Sequence, residues 1–270
     1  MQPASHSARR ATVTAARAPQ RVRPVPAVSR AIAILRLLGR TPEPLGVKAI
    51  AQSLGMVTST CLHILRVLVV EELVKVDATK RYSLGSGMLS LARSVIEGNR
   101  FPALVQPVLD RIATEWGVTA LGVEINGLEH MVVVALSRSQ VPFRLHVDVG
   151  SRFPALISAT GRLVAAFSDR PWSEIERGFR SLRWQKAPDI GVWRKEIEGV
   201  RRKGYSIDRG NYIRGVSVLA VPVFNPRHQV THALVAAGVA DQLHNSRGAA
   251  LAQEMRSEAD RLAAMLLAKG

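Results

Sequence analysis

Three consecutive hydroxyl residues, Thr58, Ser59 and Thr60, are followed at helical spacing by His63 and Arg66. Hydroxyls and the free N–H groups of a helix start suit phosphate oxygens, while His and Arg further along one face can reach base edges. Cys61, Leu65 and Leu68 fall on the opposite side, so the segment predicts a helix with one polar and one apolar face. Lys80 and Arg81 stand in a short turn between two apolar runs, and Arg30 and Lys48 lie near two earlier helix starts. All four are candidates for phosphate contacts. Each residue also has an ordinary explanation: Thr58 or Ser59 as an N-cap, His63 as a surface histidine, Cys61 as a small core residue and not a nucleophile. The combined arrangement is more specific than any one of them.

The flanking segments supply elements that could position these groups. Residues 28–38 carry Val28, Ile32, Leu35 and Leu38 at helical spacing and stop at Thr41-Pro42-Glu43-Pro44. Residues 47–54 predict a second short helix with Val47, Ile50, Ala51 and Leu54 inward, and Gly55 supplies the turn before the third helix, which reaches about Val70. The runs 73–76 and 81–84 predict a hairpin around Asp77-Ala78-Thr79-Lys80. Helix, helix, turn, helix, hairpin is the order of a winged helix-turn-helix, whose recognition helix enters the major groove of double-stranded DNA.

Charge follows the same division. Of a formal net charge of +16, residues 1–100 hold +10 (15 Lys/Arg against 5 Asp/Glu) and the remaining 170 hold +6 (22 against 16). Positive charge is therefore densest where the hydroxyl-bearing helix lies, as expected where a chain meets phosphates. Residues 1–26 hold five arginines, no acid and no apolar period, which predicts a disordered arm. The arm either adds phosphate contacts or is a dispensable tail, and the tail is the preferred reading. Such a start also resembles a transit peptide in composition, but the winged motif that follows so closely argues against this. No apolar run reaches the ~18–20 residues of a membrane span. The single cysteine excludes an intramolecular disulfide and a cysteine-rich zinc site, which fits a reducing cytoplasm.

Met88 to about Asn99 reads as a further amphipathic helix using Leu89, Leu91, Ala92, Val95 and Ile96, and Gly98 and Pro102 mark a domain boundary. A helix from Pro102 to Trp116 follows. Beyond it, strands are expected near 120–125, 130–137, 143–147, 205–207, 217–224 and 232–239. Helices are expected near 158–167, 172–179, 192–203 and 246–268. This is an α+β domain with a mainly antiparallel sheet.

The residues that carry a resemblance run from Val28 to the C-terminus. They include Ser29-Arg30-Ala31-Ile32-Ala33-Ile34-Leu35, Ile50-Ala51-Gln52-Ser53-Leu54-Gly55, Ser59-Thr60 and Arg81-Tyr82-Ser83-Leu84-Gly85. Further along come Gly150-Ser151-Arg152-Phe153-Pro154, Ala159-Thr160-Gly161-Arg162, Val200-Arg201, Gly204-Tyr205, Gly215-Val216, Ala220-Val221-Pro222-Val223-Phe224 and Gly238. The chain resembles the IclR family, the isocitrate lyase regulator type of transcription factor. The resemblance implies a winged helix-turn-helix over 27–87, a linker helix over 88–100 used in dimerisation, and a GAF-like effector-binding domain over 101–270. It implies a homodimer or homotetramer on a double-stranded DNA operator, more often a repressor, controlled by a small-molecule effector such as an aromatic or other organic acid. Carried over residue by residue, the effector positions are Ala159, Thr160, Asp208, Val218, Val235 and Ala237.

Members that bind small polar acids tend to have Cys at the position of Val218 and Ser at those of Val235 and Ala237. The family's frequent Glu-Glu pair falls at Gly210-Asn211 and its Gly-Lys at Gly161-Arg162. A pocket with fewer hydroxyls offers fewer partners to a desolvated carboxylate. Asp208 then remains as the main polar candidate, unless it pairs with a nearby arginine. Val218 and Val235 could equally be alternating core residues of strands. Two other functions stay open: an enzyme, and a DNA-binding protein whose C-terminal domain only oligomerises. Against the enzyme, the effector half has no cysteine, His130, His146, His228 and His232 lack metal-motif spacing, and no Ser-His-Asp or phosphate-loop motif occurs. No metal and no cofactor are expected.

Overall fold

The computed structural model describes residues 25–139, 147–243 and 245–268. The expected arm, up to residue 24, and the expected strand near 143–147, up to residue 146, lie outside the described residues. Packing divides the chain into two units that meet between Val95 and Ile96, within one helix. Among the described residues no single helix is long and apolar enough to cross a membrane.

The first unit opens with α1 (Pro26–Arg40), a proline in its first turn and Thr41 closing it, the Thr41 hydroxyl donating to Leu37 O at 2.9 Å. It continues with β1 (Leu45–Gly46), α2 (Val47–Ser53), α3 (Thr58–Val70), β2 (Val74–Val76) and β3 (Arg81–Leu84). Ile34, Leu38, Ile50, Ala51, Cys61, Leu65, Leu68, Val74 and Tyr82 form its core. The apolar period of α1 is only partly used: Val28 and Ile32 stay exposed, while Ile34 and Leu38 are buried. Only the C-terminal half of α1 reaches the small core. The two-residue β1 is too short to announce itself in sequence, yet it pairs with β3 (Gly46 opposite Arg81) and makes the wing three-stranded. Next comes α4 (Gly87–Gly98), whose Leu89 and Leu91 are exposed.

The second unit is a six-stranded antiparallel sheet with helices on both faces. Its order is α5 (Phe101–Trp116), β4 (Thr119–Asn126), β5 (His130–Arg138), β6 (Arg152–Pro154), α6 (Ser158–Ala166), α7 (Trp172–Arg180), α8 (Ile190–Lys203), β7 (Ser206–Arg209), β8 (Val216–Phe224), β9 (Val230–Val239) and α9 (Asn245–Leu267). Across the sheet the strands run β6-β5-β4-β9-β8-β7. Alternation sorts the side chains: Leu121, Val123, Ala220, Ala233, Val235 and Ala237 face the α6–α8 side. Ala120, Leu219, Val221, Leu234 and Ala236 face α5 and α9. A bulge opposite Gly122/Val123 shifts the register of β5, so that Val133 and Ala135 lie on opposite faces. Gly122 lies under α5, where a Cβ would sit 3.1 Å from both Phe101 and Val105. Arg111 ties α5 to Glu254 and Glu258 of α9.

Candidate functional site

The N-terminus of α3 is open. Its N-cap is Val57, not Thr58 or Ser59, and no side chain caps it. The helix starts one residue earlier than the hydroxyl pattern suggests, placing Thr58 and Ser59 inside the first turn. The first intrahelical bond is Cys61 N–H to Val57 O at 3.0 Å. The N–H groups before it point out of the helix end, where helix geometry leaves them without an intrahelical acceptor. Thr58, Ser59, His63 and Arg66 are exposed and Thr60 is partly so, whereas Cys61, Leu65 and Leu68 are buried. Burial pushes the Cys61 thiol up, away from reactivity.

The wing tip is held by Asp77. Its Oδ1 accepts from Thr79 N–H (2.8 Å), the Thr79 hydroxyl (2.7 Å) and Arg81 N–H (3.0 Å). These bonds, that from the Arg81 backbone foremost, hold its carboxyl below the usual carboxylate range. They stabilise a turn in which Lys80 adopts a left-handed φ of 58°. Lys80 and Arg81 are exposed there, and the β1–β3 pairing brings Arg81 beside the strand that leads into α2 and exposed Lys48. Arg30 lies exposed on the N-terminal half of α1.

The second unit holds a cavity of about 240 Å³ between its sheet and the start of α6. Leu121, Val123, Met131, Val133, Val218, Val235 and Ala237 form the strand wall, with Val147, Phe153 and Val216 beside it. Ile157, Ser158 and Thr160 form one end, and Tyr212 and Ile213 close it from the loop between β7 and β8. α6 is buried along its whole length, and no side chain caps its N-terminus. Thr160 is 1% exposed, lines the cavity, and its hydroxyl has no hydrogen bond among the described residues.

Of the six expected effector residues, the structure brings Thr160, Val218, Val235 and Ala237 to this cavity. Ala159 and Asp208 do not line it. The Ala159 carbonyl accepts from the Ser206 hydroxyl at 2.6 Å. The Asp208 carboxylate, 1% exposed, is already engaged: it accepts from Ser158 Oγ (2.7 Å), Asn211 N–H (2.8 Å) and Tyr212 N–H (3.2 Å). Among the described residues it pairs with no arginine, and it orients a lining residue and the closing loop. Ser158 takes a left-handed φ of 57° to make its bond.

Beside it, buried Arg162 donates to Glu196 Oε2 (2.7 Å), Ser158 O (2.9 Å) and Asn211 Oδ1 (2.9 Å). The positions where the sequence departs from the family's Lys and Glu pattern, Arg162 and Asn211, are thus bonded to each other, and α8 supplies the carboxylate. Sequence reasoning missed Ser158, Tyr212 and the β4–β5 wall. Alternation in β4 and β5 carried a signal for the wall; the loop holding Tyr212 has no periodicity to read.

Among the described residues no group of three His, Cys, Asp or Glu could hold a metal ion. Two family models match: the IclR helix-turn-helix domain over residues 27–78 and the bacterial transcriptional regulator IclR C-terminal domain over 94–264. The chain belongs to the IclR family. It is a DNA-binding transcriptional regulator with an effector-binding C-terminal domain. The glycerol operon regulatory protein of Streptomyces griseus is 29% identical over 226 residues, covering 82% of this chain and 87% of that one. The crystal structure of an IclR transcriptional regulator from Alicyclobacillus acidocaldarius superposes with a TM-score of 0.74 at 27% identity, over 90% of this chain and 99% of that one. An IclR homologue from Microbacterium hydrocarbonoxydans, crystallised with 4-hydroxybenzoate, gives a TM-score of 0.74 at 16% identity over 90% and 100%.

Proposed function

We propose that this IclR-family chain is a repressor that holds α3 in the major groove of its operator and responds to an apolar organic acid bound at the start of α6. The observation that carries the effector side is the uncapped, buried first turn of α6 beside the Thr160 hydroxyl, which has no partner among the described residues, at a cavity whose described lining is apolar apart from Ser158, Thr160 and Tyr212. A helix start and a hydroxyl can replace water around a carboxylate, whose burial without partners is costly. Val218, Val235 and Ala237 reward apolar surface at about 25 cal/mol per Å² buried. An aromatic or branched acid therefore fits better than glyoxylate or pyruvate. The 4-hydroxybenzoate complex of the Microbacterium homologue supports that class.

On the DNA side, Arg66 and His63 read bases; Thr58, Ser59, Thr60, Arg30, Lys48, Lys80 and Arg81 hold phosphates. The exposed Val28, Ile32, Leu89 and Leu91 support a homodimer or homotetramer that covers them and presents paired reading heads. We take the protein to be cytoplasmic and to bind its effector without turnover. The Ser158 hydroxyl is spent as a donor to Asp208, and no histidine lines the described cavity.

The test is retardation of DNA from upstream of its own gene, against random DNA, at several salt concentrations, with acids running from pyruvate to hydroxylated aromatics. Specific binding that weakens steeply with salt and is altered by a larger acid is expected. Arg66→Ala should relax sequence preference, and Lys80→Ala should weaken binding to all sequences about equally. Equal binding to both DNAs would refute the DNA reading. Specific binding with no response to any acid would leave a C-terminal domain that only oligomerises.

A further inference from the structure

The described lining of the cavity is almost wholly apolar. Among the described lining, side-chain hydrogen-bonding groups come only from Ser158, Thr160 and Tyr212. The Ser158 hydroxyl is already donated to Asp208. Thr160 and Tyr212 carry hydroxyls that bond to nothing among the described residues. Tyr212 is partly buried, and that burial pushes its phenol up, so it stays protonated and able to donate at neutral pH.

The backbone that carries Tyr212 is fixed from several sides. Asp208 holds the N–H groups of Asn211 and Tyr212, and Arg162 holds the Asn211 side chain. The Asn211 and Tyr212 carbonyls accept from the N–H groups of Lys186 (3.0 Å) and Gln185 (3.4 Å), and Gln185 Oε1 accepts from Arg214 N–H at 2.8 Å. A group held this way loses little freedom on binding, which is how a pocket gains selectivity without added area. Asp208 also bridges Ser158 to Tyr212 N–H, so the loop closes against the same end of the cavity as the start of α6.

We propose that Tyr212 is a specificity-determining residue of the effector site: its hydroxyl, beside that of Thr160 and the first turn of α6, donates to the acceptor end of the ligand. This rests on the reading of the cavity as the effector site. Asp208 keeps its charge but does not line the cavity, its oxygens being turned to Ser158 Oγ and to the Asn211 and Tyr212 N–H groups, and the start of α6 presents positive potential. An ammonium therefore finds no charged partner in the described lining, whereas a carboxylate finds the Thr160 and Tyr212 hydroxyls as donors. The cavity selects monocarboxylates with an apolar body over amines or hydrocarbons of the same shape.

The experiment is calorimetric titration of the full chain and of its Tyr212→Phe and Val218→Trp variants with benzoate, phenylacetate, 3-methylbutanoate, benzylamine and toluene. Tyr212→Phe keeps the ring and removes only the hydroxyl. It should weaken the best-binding acid about tenfold or more, leave toluene within about twofold, and leave benzylamine weaker than the acids. Val218→Trp should fill the cavity and abolish binding of every probe. If Val218→Trp blocks the acids but Tyr212→Phe leaves their affinity unchanged, the role of Tyr212 is overturned and the cavity reading stands. If an acid binds Val218→Trp as tightly as the parent chain, or no acid binds the parent chain, the cavity reading falls and this assignment with it.

Discussion

Replacing Asp208 by alanine removes the acceptor of three hydrogen bonds from a site that is 1% exposed. The Ser158 hydroxyl can rotate to seek another partner. The Asn211 and Tyr212 N–H groups, in a partly buried loop, can recover water only by moving that loop. An unmade buried hydrogen bond costs about 1–3 kcal/mol, so partial recovery leaves an expected loss of about 3–4 kcal/mol. Asp208→Asn keeps the shape and one acceptor oxygen and should cost about half as much. All four tryptophans, Trp116, Trp172, Trp184 and Trp193, lie in the second unit, so intrinsic fluorescence during urea unfolding reads this unit without interference from the winged one. A shifted midpoint at constant slope would identify lost stability and not a changed unfolded state. A loss below about 1 kcal/mol for Asp208→Ala would refute the view that this carboxylate braces the loop.

Gly161→Ala should destabilise the same unit by more than about 2 kcal/mol. This substitution inside a helix ordinarily gains about 1 kcal/mol, but here a Cβ would lie 2.0 Å from the Leu156 carbonyl carbon and oxygen. Fluorescence-monitored unfolding checks it, and a stabilised variant would contradict the close approach of α6. His232 packs at a tilt against Phe101 with ring centroids 4.2 Å apart, lies opposite Glu124 and Val223, and contacts the Thr231 hydroxyl through Nδ1 at 3.0 Å. Burial pushes its pKa down to about 4. The unfolded chain takes up this proton at a higher pH than the folded one. The resulting stability is complete above about pH 6.5 and is lost as pH falls toward 4, by at most about 3 kcal/mol and less with solvent screening. Unfolding midpoints from pH 7 to 4.5 should therefore fall more steeply for the parent than for His232→Phe, and parallel curves would rule this out.

The sequence by itself determined what depends on local periodicity and on short motifs. The polar and apolar faces of α3, the Asp77–Lys80 turn, and the alternation of β8 and β9 were legible because each is set by neighbours a few residues away. The exposure of Val28 and Ile32 in the N-terminal half of α1 was not, since a helix's apolar stripe does not say how much core lies beside it. Nor were β1 and β6, whose two and three residues are ordered by the strands they pair with.

The candidate effector site divides in the same way. Thr160, Val218, Val235 and Ala237 came as positions carried over from the family resemblance, and all four line the cavity. Asp208 could be singled out, but not the direction of its carboxylate. Only the tertiary structure set Ser158, Asn211 and Tyr212 around it, from segments some 50 residues apart in the case of Ser158. A buried charge takes whatever donors the fold brings within hydrogen-bond reach. That choice depends on long-range packing, which no local pattern in the chain encodes.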